Sequence, residues 1–306
     1  MNPTLQDIRY DPILSKVSVA YQNAGYVAEK ILPVIPSKKT TGKYYIYDKS
    51  KFRKVKSLRG MGSASNEVGY GLSLSDAYVC KDHALKELVP VELNDQAEAP
   101  LNPQMDAVEN VTERLLIEKE IDLATYMQNT GNLTNNTTLA GVNQWSDHAN
   151  SDPIGDIETG IESIRSNIFK GANTLVLGQE VWNKLKHHPD LIDRIKYGGF
   201  AKMSTSALAD LLDLDNVIIA SAGYESAVEG QTSSIGYIWG KYAWLLYVTP
   251  RPGIRSVSFG YHFQYKKAAD KWFDKDREGT FVRVHDHFTR EIVTVDAAYM
   301  IKNAVA

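Results

Sequence analysis

Between two segments patterned as strands, residues 48–71 read DKSKFRKVKSLRGMGSASNEVGYG. This stretch constrains the chain more than any other. Lys49, Lys51, Arg53, Lys54, Lys56 and Arg59 crowd its first half and small residues fill its second, leaving almost nothing that a core can use. The segment before it, GKYYIYDK, is aromatic and β-branched. In the segment after it, GYGLSLSDAYVC, Tyr70, Leu72 and Leu74 fall on one face by the period-two rule of a strand. Together the flanks predict a long two-stranded ribbon with the basic stretch at its tip. A two-stranded ribbon alone is marginal in water, so it needs a surface to lie on. A tip without apolar residues points away from the chain's own core, which leaves a solvated loop or a partner, either a polyanion or protein.

Composition narrows the partner. Lys and Arg number 34 against 37 Asp and Glu, a formal net charge of −3, so the chain has no global basic field of the kind that drives non-specific nucleic-acid binding. With 306 residues, 43% of them hydrophobic, it can bury a sizeable core. The single cysteine, Cys80, rules out an internal disulfide framework and fits a reducing compartment. The start, MNPTLQDIRYDPILSK, lacks the basic-then-apolar pattern of a secretory signal, and no run approaches the ~20 apolar residues of a membrane span. A soluble, unsecreted protein without membrane contact is expected.

Residues 1–36 end in ILPVIP, where two prolines force extended backbone, and read as an arm. The strongest helix signal covers 102–130: Asn102 can cap the free N–H groups, Pro103 suits the first helical position, and Gly131 lies just past the end. Its apolar stripe drifts, and Asp106, Glu109, Glu113, Glu118, Glu120 and Asp122 make the rest acidic, a pattern met by a solvated face or by a docking surface for cations. From Asp152 and Pro153, isoleucines at 154, 157, 161, 164 and 168 give one buried helical face. NTLVLG and NVIIAS read as buried strands, with helices between them interrupted at Pro189, so 152 to about 222 describes an α/β module. The remainder is β-rich and is expected to return to the long helix as an α+β layer.

A search for catalytic chemistry yields little. The chain has no GxxxxGK[ST] loop, GxSxG elbow or HExxH pair, and GMGSAS at Gly60 lacks the third glycine of a dinucleotide turn. His285 and His287 project from one face of a strand, but two ligands without a nearby Cys or third His make a weak metal site, and two partly exposed strand histidines are expected. His187 and His188 read as helix-end residues and Cys80 as a small packing residue. No catalytic residue, cofactor or metal is assigned.

The order of arm, ribbon, long acidic helix, α/β module and returning strands resembles the major capsid proteins of tailed bacteriophages, the HK97-like fold shared with encapsulins. NAGYVAEKILPVIPSKKTTGKYYIYDKSKFRK, NTLVLGQEVWNKLKHHPDLIDRIKY, DLLDLDNVIIASAGYE and IWGKYAWLLYVTPRPG are similar to stretches of one branch of that family. The resemblance implies an α+β chain with an N-terminal arm at 1–36 and an extended β-hairpin loop at 37–90. A peripheral domain with its spine helix follows at 91–150, an axial α/β domain at 151–250, and returning peripheral strands at 251–306. It implies a structural protein, not an enzyme, that forms the hexamers and pentamers of an icosahedral shell around double-stranded DNA, assembled in the bacterial host cytoplasm and residing in the virion. An encapsulin-like compartment enclosing cargo enzyme is the alternative. A separate scaffolding protein, a portal and a decoration protein are the implied partners, with packaged DNA held without sequence-specific contact. Because the family's extended loop lies over a neighbouring subunit, intersubunit contacts are expected at Tyr44, Tyr45 and Tyr47 and at the six basic residues from Lys49 to Arg59. Spine-helix carboxylates Glu109, Glu113 and Glu120 are their expected counterparts.

Overall fold

Asn102 caps the long helix as its position predicts: its side chain accepts the Met105 N–H at 3.3 Å, and Pro103–Gln128 continues for 26 residues. A computed structural model gives the structure; it describes residues 25–47, 49–69, 71–97, 101–196, 203–227, 230–253 and 256–306. The side chains of Tyr47, Ser50 and Lys51 also lie outside the described set, as do residues 1–24 of the expected arm.

The helix buries residues 107, 111, 115, 119, 123 and 127, every fourth position. A step of four overshoots the 3.6-residue turn by about 40°, so the stripe winds roughly half-way around the helix over its length. Its ends therefore face different bodies. Ala107, Val111 and Leu115 pack on Val89, Val282 and Val284, whereas Leu123, Ala124 and Met127 join the core of the α/β module.

The first body is a four-stranded sheet in the order Val34–Pro36, Gly260–Asp274, Gly279–Ile292, Lys81–Pro90. Its centre is a long antiparallel hairpin with an irregularity in register between Gln264 and Lys266. Val34–Pro36 joins in parallel, with Val34 opposite His262. Lys81–Pro90 closes the other edge, with Asp82 opposite His287.

The second body is a five-stranded sheet in the order Asn136–Thr138, Ala298–Lys302, Ala243–Leu246, Thr174–Gly178, Asn216–Ala220. Thr174–Gly178 is buried at every position, as a strand covered on both faces must be. Asp152 caps helix Pro153–Ile168 by accepting the Gly155 N–H at 2.9 Å, and Ile154, Ile157, Ile164 and Ile168 are buried as the spacing requires. Helices Gln179–Leu185 and Pro189–Ile195 flank the break at Pro189. Trp145, Trp239, Trp244 and Phe259 fill the core.

One expectation is corrected. The C-terminal strand Ala298–Lys302 does not return to the long helix with the rest of 251–306; it pairs with Ala243–Leu246 inside the α/β sheet. Its side chains explain this. Ala298 to Ile301 are buried on both faces, which suits a central strand and not a half-solvated one.

Lys119, on the buried stripe, makes an ion pair of 2.6 Å with Asp286, and both side chains are almost wholly buried. Replacing Lys119 with Met should leave the Asp286 carboxylate buried and uncompensated. The expected loss is about 3–5 kcal/mol in denaturant unfolding of the unassembled subunit. A Lys119→Met, Asp286→Leu double variant should recover most of it.

Candidate functional site

The extended loop has an anchored root and a bare tip. Its strands are short: Tyr45–Tyr47 pairs with Leu72–Leu74, and Thr41–Gly42 with Tyr78–Val79. At the root, Tyr78 stacks on Phe263 with ring centroids 4.3 Å apart, and Tyr44 stacks on the same ring at 6.1 Å. Cys80, Tyr261 and Phe263 form the buried centre of this cluster. Cys80 is a packing residue as expected, and burial pushes its thiol above the usual range.

Tyr44 thus packs on its own chain at the loop root and is only partly exposed. Tyr45 is exposed. Tyr47 pairs through its backbone with Leu72, and its side chain is among those not described. Lys49 also has a partner at home, an exposed ion pair of 2.7 Å to Asp296. Beside it Phe52 meets Phe169 with ring centroids 4.8 Å apart, so the single 3-10 turn Lys49–Phe52 rests on the α/β module.

Beyond Phe52 the loop leaves the body. Arg53, Lys54, Lys56 and Arg59 are exposed, and Lys51 falls among the undescribed side chains. Ser63 N–H closes a turn on the Gly60 carbonyl at 3.2 Å, with Gly62 at φ +79°, a conformation that favours glycine. Val55, Leu58, Met61 and Val68 are exposed, Leu58 by 93% and Met61 completely. The tip is therefore not without apolar residues: they are few, and Leu58 and Met61 stand almost wholly in water.

The spine-helix carboxylates separate into three situations. Glu109 is exposed. Glu113 is half-buried and accepts the Tyr26 hydroxyl at 2.6 Å. Glu120 is only 1% exposed; it accepts the backbone N–H groups of Val27 and Ala28 at 2.9 and 3.0 Å and the Trp239 indole N–H at 2.6 Å. Burial raises its pKa, opposed by those three hydrogen bonds. A carboxylate enclosed in this way cannot meet a neighbour, so Glu120 is a structural hub and not the contact the sequence suggested. Nothing in a single sequence separates it from Glu109, because both belong to one acidic helix.

The buried Lys119–Asp286 pair lies beside this hub. Burial alone would raise the Asp286 carboxyl, but hydrogen bonds from Lys119 and Gln264 outweigh it and hold it below the usual range. Arg290 donates to the Lys119 carbonyl and pairs with Asp122 at 3.2 Å. His262 stacks on Phe288 in the same layer, and its Nε2 has no hydrogen-bond partner among the described residues.

Two other constellations carry chemistry-bearing groups. Ser151 Oγ lies 3.1 Å from His188 Nε2, and His188 Nδ1 lies 3.7 Å from Asp190. The order mimics a nucleophilic triad, yet Ser151 donates its proton to the Asp147 carbonyl at 2.7 Å, so the ring N–H donates to Ser151 and does not deprotonate it. His188 is buried, more than the helix-end role requires. The second constellation adds Asp82 to His285 and His287, with one ligand atom from each lying within 4.8 Å of the others.

No family model matches the chain. The chain is 28% identical to the major capsid protein of Burkholderia phage BcepMu across 95% of each chain. It is 29% identical to the major capsid protein of Pseudomonas phage JBD67 across 97% of each. The crystal structure of a phage-related protein from Bordetella bronchiseptica RB50 is similar, with TM-score 0.72 and 26% identity, covering 96% of this chain and 97% of that one. The cyanophage P-SCSP1u capsid shares the fold alone, at TM-score 0.64 and 10% identity, covering 99% and 95%.

The fold is thus α+β and of the HK97-like class shared by phage capsid proteins. The likeness to phage major capsid proteins holds over nearly the whole chain, and an encapsulin-like compartment is not favoured.

His262 makes the buried layer acid-sensitive. Burial, and next the Lys119 charge, lower its pKa from 6.5 to about 4, while Asp286 opposes and Arg290 and Lys267 reinforce. Between these values the unfolded chain binds a proton that the fold refuses, so stability falls as the pH drops. The loss attributable to His262 should reach about 2 kcal/mol at pH 5. Urea unfolding of the subunit at pH 7.5 and pH 5 should show that loss, reduced by this amount in His262→Gln.

Proposed function

We propose that the chain builds the hexamers and pentamers of an icosahedral phage head around double-stranded DNA, and that its extended loop is completed by a neighbouring copy. The observation that carries this reading is the contrast within the loop. Its root is stacked on Phe263, whereas Leu58 and Met61 at its tip are bare of cover among the described residues. A soluble subunit gains nothing from such a tip alone. Laid across a sibling, the same residues bury apolar area at about 25 cal/mol per Å².

The cations beside them, Arg53, Lys54, Lys56 and Arg59, would then face carboxylates on the exposed side of a neighbour's spine helix, with Glu109 and the half-buried Glu113 as the candidates that remain. Exposed charge pairs are individually weak and set register and partner choice more than affinity. Tyr45, exposed on the ribbon, is the tyrosine best placed to add contact area.

In this reading residues 1–36 are the arm, 37–90 the extended loop, 91–150 the peripheral domain with the spine helix, and 151–250 the axial domain. Residues 251–297 supply the returning hairpin. The reading includes no catalytic step. A separate scaffolding protein, a portal and a decoration protein complete the proposed partners, and DNA is enclosed without sequence-specific contact.

Arg53→Glu, Lys54→Glu, Lys56→Glu in one chain should leave a folded, soluble subunit. Closed particles, counted by negative-stain microscopy, should fall about tenfold or more relative to the unaltered chain. Normal particle yield from the triple variant would refute the charge pairing. Unaltered chain that stays monomeric at particle-forming concentrations, with and without its scaffold, would refute the shell reading.

A further inference from the structure

We propose that Asp82, His285 and His287 form a divalent transition-metal site, of the kind that takes Zn²⁺, on the sheet face turned away from the spine helix.

Two residues apart on one strand, His285 and His287 share a face, while Asp286 between them points to the other face and meets Lys119 under the helix. Asp82 is supplied by the neighbouring strand, where it is the direct partner of His287. The three ligand atoms make a compact triangle. His285 Nδ1 lies 3.3 Å from His287 Nε2, which lies 3.4 Å from Asp82 Oδ1, and the third side is 3.9 Å.

A tetrahedral ion with bonds of about 2.0–2.1 Å separates its ligands by roughly 3.3–3.4 Å. Two sides of the triangle already have that length, and the third closes by a small rotation of an exposed carboxylate. The donor set, two imidazoles and one carboxylate, suits Zn²⁺, Co²⁺ or Ni²⁺ better than the hard cations that prefer all-oxygen cages.

Access and rigidity both fit. The side chains are 16%, 22% and 50% exposed for His285, His287 and Asp82, so an ion can enter and a water can take the fourth position. The histidines are fixed by a strand paired on both sides, and the Tyr265 ring packs edge-on against His287 at 6.0 Å. Asp82 stands only three residues beyond Val79, the last residue of the loop's pairing strands. A metal there would clip the root of the extended loop to the central hairpin.

The test is calorimetric titration of ZnCl₂ into the purified full chain, with Co²⁺ as the optical probe. We expect saturable binding of one Zn²⁺ per subunit and the intense visible bands of tetrahedral cobalt. At a hundredfold excess over the dissociation constant, Tm should rise by about 4 °C. His287→Ala and Asp82→Asn should each weaken binding about tenfold or more, while the exposed His187→Ala should leave it unchanged. The proposal is overturned if the unaltered chain shows no saturable Zn²⁺ binding or only octahedral cobalt spectra. It is equally overturned if His285→Ala, His287→Ala binds as tightly as the unaltered chain. Circular dichroism of each variant separates loss of site from loss of fold, and no readout depends on particle formation.

Discussion

About two-thirds of the way along the spine helix, two adjacent charges are buried toward different bodies. Lys119 turns to Asp286 in the four-stranded sheet, and Glu120 turns to the arm and to Trp239 of the α/β module. They sit where the helix's winding stripe crosses from one body to the other. A buried ion pair is weak evidence for stability, since well-packed apolar residues in its place are often as good or better. Its value here is in rotation. Turning the helix by one residue would set Glu120 against Asp286, two carboxylates in one buried layer, and would put Ile121 where the N–H groups of Val27, Ala28 and Trp239 need an acceptor. Only one setting of the helix satisfies both charges, so this pair fixes how the two sheets are joined.

The same hub orders the approach to the loop. Helix Ala28–Ile31 is a single turn, too short to stand on its own. Glu120 supplies what it lacks by accepting N–H groups at its start, where a carboxylate also complements the helix dipole. From that turn the chain passes through Leu32 and Pro33 into Val34–Pro36, which enters the sheet beside His262, and then into the loop. The return strand Lys81–Pro90 re-enters the same sheet at its opposite edge. Both ends of the loop are thus clamped to one rigid hairpin, so the tip projects from a fixed base.

What could be read from the sequence was local and periodic. Asn102 with Pro103, and Asp152 with Pro153, announced two helices because capping is decided within four residues. The isoleucine spacing after Ile154 and the uniformly apolar run at Thr174 announced a buried helix and a buried strand for the same reason. Long-range choices were not legible. Glu120 and Glu109 look alike until the stripe's drift is followed in three dimensions, and Asp82 lies about two hundred residues from the histidines it joins. The placement of Ala298–Lys302 was hidden too, because a buried strand's pattern does not say which sheet buries it. The expected long ribbon is two short pairs of strands, and its aromatic root was not foreseen, since Phe263 comes from the far end of the chain.

In the proposed assembly the loop tip combines two demands that pull against each other. A surface meant for assembly must be sticky, yet a subunit waiting to assemble must not be. In residues 53–61 the cations alternate with Val55, Leu58 and Met61, so that each exposed apolar side chain has a charge close by. Such neighbours act as gatekeepers, because burying the apolar residue on a random surface would also strand the charge. On a partner that presents carboxylates around an apolar seat, both costs vanish together. Each contact stays modest. A subunit in a closed ring is held on several sides at once, so modest contacts suffice for a stable shell and remain weak enough for a misplaced subunit to leave.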